Sequence, residues 1–148
     1  MNELSNLAHT IELSVAPVFL LAGIGAFLNV VASRLGRVVD RARNLEDRLL
    51  ATPEPEEVSR IKKELVILDR RVRLSQRAVV LFSLAGLLVC LVVATLFIGE
   101  FIVLQVAAPV AMMFIAAMLA MIGGLSLFLL ETTIATRTIR VRAELLSK

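Results

Sequence analysis

Charged residues bordering long apolar runs are the ones in this sequence whose type and spacing carry chemistry. Glu131 follows the uncharged run Val106–Leu130, and apolar and small residues continue beyond it through TTIATRT. Counted from the far ends of the runs at about 1.5 Å per helical residue, Glu131 reaches the depth of Arg34 and Arg77. A carboxylate at that depth avoids lipid by pairing with one of those arginines, since ionisable groups inside a bilayer find partners. Two roles stay open for it: an ion pair that locks helices, and a station in a proton or ion relay.

A second constellation is the run RLGRVVDRAR. Arg34, Arg37 and Arg41 share one helical face at three- and four-residue steps, and Asp40 lies within reach of Arg37 or Arg43. Asn29 sits about one turn before this run inside an apolar stretch, where a buried amide needs an interhelical hydrogen bond. Glu12 and Glu100 stand at the opposite ends of their runs. Several copies around an axis would gather them into an acidic outer ring that attracts cations; as single residues they are surface carboxylates.

Motifs of catalysis are missing from the sequence. It has no glycine-rich phosphate loop with a lysine, no nucleophile set beside a histidine and no HExxH. The one cysteine, Cys90, lies in an apolar run and reads as a small hydrophobe. His9 has no cysteine neighbour, so neither residue suggests a metal or cofactor site. Arginines interleaved with acids, without aromatic stacking residues, do not make a nucleic-acid surface. The expectation is a protein that is not an enzyme and carries no cofactor.

The elements that must position these residues are helices in a membrane. The chain is 58% hydrophobic over 148 residues, above the half usual for soluble domains, with a mean hydropathy of +0.86. Three uncharged stretches, Leu13–Ser33, Ala78–Gly99 and Val106–Leu130, meet the roughly 20 residues a bilayer crossing needs. The first lacks the basic leader and short core of a signal peptide and is read as a retained span. EFIVLQ leaves room only for a tight turn between the last two.

Of the 16 Lys and Arg, twelve fall between Arg34 and Arg77 and four between Arg137 and Lys148. By the positive-inside rule both regions are cytoplasmic. Three spans then put the N-terminus and the Glu100–Gln105 turn outside, and those two regions contain no basic residue. The expected location is the inner membrane, N-terminus out and C-terminus in.

Between the first two spans, apolar residues recur at Leu35, Val38, Ala42, Leu45 and Leu49, and again at Val58, Ile61, Leu65, Leu68 and Val72. This 3-4-3-4 spacing is a coiled-coil seam. Folding the chain at ATPEPEE pairs Leu49 with Val58, Leu45 with Ile61, Ala42 with Leu65, Val38 with Leu68 and Leu35 with Val72. Thr52 then caps the second helix and Pro53 suits its first position. The same alignment sets Asp69 near Arg37 and Glu64 near Arg43.

The fold class is thus an all-α membrane protein: three transmembrane helices with a cytoplasmic antiparallel helical hairpin between the first and second spans. Its parts are 1–33 (outer N-terminus and first span), 34–77 (hairpin), 78–136 (second and third spans) and 137–148 (cytoplasmic tail). Pro17 and Pro109 mark span starts. Ala116, Ala120 and Gly124 form a small-residue face suited either to packing within the chain or to self-association.

The hairpin's membrane-proximal parts, Arg34–Arg43 and Asp69–Arg77, hold eight arginines against two aspartates. Such a collar meets anionic lipid headgroups, at about 1 kcal/mol per residue near the surface. The remaining partner expectations are a cytoplasmic protein, a second copy of the chain, and no nucleic acid.

The stretches PVFLLAGIGAFLNVVASRLGRVVDRARNLE, ELVILDRRVRLSQRAVVLF and LFLLE together resemble a bacterial family of small membrane proteins, domain-of-unknown-function family 2721. The resemblance runs from about Ser5 to Arg142, and its most specific pieces are Arg34, Arg37, Asp40, Arg41, Arg43 and Glu131. It implies a multi-pass membrane protein and brings no activity with it. Three functional expectations follow from the residues: a scaffold or interaction protein acting through the hairpin, a homo-oligomeric ion channel or transporter subunit, or a lipid-sensing module using the arginine collar, whose binding to anionic membranes would fall with salt.

Overall fold

The computed structural model describes the backbone of residues 2–51, 54–102 and 106–146, and side chains within 8–51, 54–99 and 106–135. It is all-helical there: α1 spans Asn2–Leu50, α2 Pro55–Ile102 and α3 Ala107–Leu146. All three are long and apolar enough to cross a membrane. Contacts divide the chain into two units, Met1–Asn29 with Val80–Gly124, and Val30–Val79 with Leu125–Lys148.

Helix limits differ from expectation where the sequence signals were weakest. α1 begins far upstream of Pro17, which is therefore an internal residue and not a helix start. A proline there removes one backbone bond, a loss that neighbouring helices and hydroxyls make tolerable in membrane helices. α2 begins at Pro55, with the Val58 amide donating to the Glu54 carbonyl at 3.0 Å. Glu54 thus holds the cap position and Pro55 the first helical one; Thr52 and Pro53 lie outside the described residues. Pro109 falls in the first turn of α3, where its missing donor matters little.

In the first unit the usual soluble pattern is inverted. α2 buries Phe82, Ala85, Val89 and Val92 completely, a three-to-four-residue stripe, and Ile24 of α1 and Ala117 and Ala120 of α3 are buried as well. Large apolar residues point outward instead: Phe19 is 74% exposed, Met112 69% and Leu119 64%. Water would penalise that arrangement, whereas lipid accepts it and rewards small residues between helices.

Close packing explains several of those small residues. A Cβ at Gly124 would stand 3.3 Å from three atoms of the Phe82 ring, and Phe27 stacks on the same ring at a centroid distance of 5.6 Å. At Gly99 a Cβ would come within 2.6 Å of a Val106 methyl, so any larger residue there would have to displace that side chain. Ser14 and Thr95 donate their hydroxyls to the carbonyls of Ile11 and Leu91 on their own helices. Hydroxyls at membrane depth are commonly satisfied in this way.

In the second unit the ends of α1 and α2 pack through a dry cluster of Val38, Leu45, Ile61 and Leu68, flanked by Ala42, Leu49, Leu65 and Val72. All eight belong to the two 3-4-3-4 series. Gly36 does not interrupt α1, and nothing lies within 4 Å of the space its Cβ would fill.

Candidate functional site

Within the second unit, α3 brings a carboxylate to the arginines of α1 and α2. Glu131 is 1% exposed, among the most fully buried side chains described. Arg71 Nε donates to its Oε1 at 2.9 Å, and Arg71 Nη2 lies 2.8 Å from the same oxygen. Arg34 Nη2 stands 3.3 Å from Oε2. That second contact has the distance of an ion pair but not the alignment of a hydrogen bond, and Oε2 accepts none from a described residue. Arg34 also lies over the Phe128 ring, 5.2 Å from its centroid. Phe128 and Glu131 are three residues apart on α3, so one helical face supplies both.

Seam geometry explains why these residues meet. Arg34 immediately precedes Leu35, and Arg71 immediately precedes Val72, in the two helices that pack through the seam. Arg41 before Ala42 and Glu64 before Leu65 are the equivalent positions one heptad, two layers, on, and there Arg41 Nε and Nη2 donate to Glu64 Oε1 at 3.1 and 2.9 Å. Residues flanking a seam in this way face each other across it. At the Arg41 layer the pair is opposite in charge; at the Arg34 layer it is two cations, and Glu131 lies between them.

The other expected residues fall as follows. Arg77 is exposed and does not reach Glu131; Arg71, earlier on the same helix, takes that place. Glu64 pairs with Arg41 and not with Arg43, because Arg43 follows its seam residue and so lies on the other flank. Asp69 pairs with Arg73 on its own helix at 2.7 Å, not with Arg37. Arg37 donates to Ser33 Oγ at 3.2 Å, and Asp40 makes no ion pair with a described residue.

Asn29 is exposed and forms no hydrogen bond with a described residue, so it is not a buried tie within the chain. Glu12 is exposed, while the Glu100 side chain lies outside the described residues. Of the small-residue face, Ala120 is buried and Gly124 meets Phe82, whereas Ala116 is exposed and Ala117 takes the buried place beside them. Among the described residues no group of three His, Cys, Asp or Glu could hold a metal.

Spacing along the chain alone does not distinguish Arg71 from its neighbours Arg70 and Arg73. The signal that finds it is positional: it is the flank partner of Arg34 once the seams are aligned.

The family described as protein of unknown function (DUF2721) matches the chain over residues 14–141. Comparison with curated proteins and with solved structures gives no match.

Proposed function

The chain belongs to the DUF2721 family, and from its structure we propose a non-enzymatic membrane interaction protein that presents a two-helix hairpin to a cytoplasmic partner. The observation that carries this reading is the self-sufficient seam. Val38, Leu45, Ile61 and Leu68 bury one another within one chain, which supports a hairpin closed on itself. Its outer surface is left for a partner: Leu50 at the end of α1 is 85% exposed and Val66 on α2 69%. Orientation in the inner membrane with the hairpin and C-terminus in the cytoplasm belongs to the same reading. It rests on the confinement of Lys and Arg to Arg34–Arg77 and Arg137–Lys148.

A photo-crosslinking residue at Val66 in intact cells tests it. A discrete adduct with another protein, lost when Leu49–Val58 is replaced by a short Gly-Ser turn, supports the reading. An adduct unchanged by that replacement, or none, counts against it.

One observation favours a second reading, a homo-oligomeric channel or transporter subunit. Asn29 is exposed on α1 together with Ala22, Gly25 and Ala26, and nothing lies within 4 Å of a Cβ built at Gly25. An uncovered amide beside small residues is the kind of face through which membrane helices associate. This reading expects a closed multimer in mild detergent that dissociates on Asn29→Leu; a monomer in both detergent and nanodiscs would remove it.

A further inference from the structure

In the second unit a cavity of about 290 Å³ is lined by Arg34, Arg37 and Arg41 of α1, Arg71 of α2, and the seam residues Val38 and Leu68. We propose that this cavity is a discrete binding site for a phosphate-bearing anion, formed by four guanidiniums, three of them held by two carboxylates. It is independent of the hairpin's protein partner.

Charge is the first support. Two of the four arginines hold Glu131 and a third holds Glu64. Four cations against two anions leave two positive charges, which matches the roughly −1 of a phosphodiester or the −1.5 to −2 of a phosphomonoester. The charge left over focuses a positive potential in the concavity, and guanidinium forks match phosphate oxygens in geometry.

Donor supply is the second. A guanidinium has five N–H donors in a fixed fork. Arg37 uses one on Ser33 Oγ and pairs with no carboxylate among the described residues. Arg34 makes an ion pair without an aligned hydrogen bond and is steadied by Phe128. Both therefore keep donors beyond the contacts described, and Arg34 holds its own in a position already set by Glu131 and Phe128, which lowers the ordering entropy that binding must overcome. Glu131, itself buried, acts on the anion only through Arg34 and Arg71 and is a positioning residue.

Position is the third. The floor of the cavity is the Val38–Leu68 layer of the dry seam, so the donors stand over an apolar surface where charge-assisted bonds are stronger than in open water. A diffuse arginine collar would have no such floor and would treat every arginine alike. Arg70, exposed and next in the chain to Arg71, does not line the cavity and supplies the comparison.

The full chain, delipidated in mild detergent, is titrated by native mass spectrometry with phosphatidylglycerol, phosphatidylcholine and inorganic phosphate. The expected result is a one-to-one adduct that excludes phosphatidylcholine. Arg37→Gln, which leaves all three carboxylate contacts intact, should weaken it about fivefold or more, as loss of a charge-assisted hydrogen bond does. Arg41→Gln, which releases only the partly exposed Glu64, should do the same, and Arg70→Gln should change nothing. Circular dichroism verifies that each variant is folded. An adduct with phosphatidylglycerol alone identifies a lipid headgroup; an equal adduct with inorganic phosphate identifies a soluble anion. No one-to-one adduct with either, or an Arg70→Gln loss equal to that of Arg37→Gln, overturns the proposal.

Discussion

Arg34 and Arg71 occupy matched positions beside the seam, each directly before a seam residue, and both turn their guanidiniums onto Glu131. Two cations facing each other across a helix pair would repel. A carboxylate from α3 between them converts the repulsion into a three-membered ion cluster. The third helix thereby acquires a fixed register on the ends of the other two, and Glu131 is explained as a structural clasp more simply than as a relay.

Removal of one arginine should therefore be milder than removal of the acid. Arg34→Gln leaves Arg71 with both of its contacts to Glu131, whereas Glu131→Gln leaves two arginines opposed. Breaking a buried pair from one side costs about 3–5 kcal/mol, and Glu131→Gln should approach that range in denaturant unfolding. Arg34→Gln is expected to lose less than half as much, and equal losses would contradict the asymmetry of the two contacts.

Arg41 and Glu64 form the exposed counterpart of this cluster. Their side chains are 47% and 31% accessible, so solvent screens the pair and its contribution is about 1 kcal/mol or less. Arg41→Gln should lower the unfolding midpoint slightly, and the difference from wild type should vanish in high salt. A large, salt-independent effect would mean the pair is buried against something else.

The seam itself is legible in the sequence because it depends only on which residues are apolar and how they are spaced. All eight residues of the packed cluster were marked by their 3-4-3-4 recurrence. Ion-pair partners were less legible, since an arginine's reach covers several positions. Arg43 and Arg77 satisfied distance along the chain but lie on the wrong flank or face. Glu131 stood out as a lone charge after an apolar run, yet its second partner, Arg71, emerges only after flank positions are assigned. Asn29 misled for a related reason: position in a span says how deep a residue lies, not whether another helix covers it.

Leu45 and Ile61, 3% and 5% exposed, should behave as core residues. Either Leu45→Ala or Ile61→Ala is expected to cost about 2–5 kcal/mol through lost burial and the cavity left behind. Val66→Ala, on the exposed face of α2, should be close to neutral for stability. Comparable losses at Val66 would place the helix interface elsewhere.

Gly124 is constrained by the Phe82 ring at 3.3 Å, a flat neighbour that cannot fold aside. Gly124→Leu should destabilise by about 1–3 kcal/mol, the usual range for overpacking, and Phe82→Leu should recover part of it by making room. Thermal unfolding in detergent reads both effects, and an unaltered midpoint for Gly124→Leu would show that the ring does not seat on α3.

The most direct test of the clasp is a double-mutant cycle on Glu131 and Arg71, with Glu131→Gln, Arg71→Gln and the pair compared by denaturant unfolding in one detergent. Direct contact should give a coupling energy of about 1 kcal/mol or more, within the range for residues sharing an ion network, and the double variant should be less destabilised than the sum of the singles. Additive losses would mean that Glu131 and Arg71 do not bind each other in the folded protein, and the clasp would have to be abandoned.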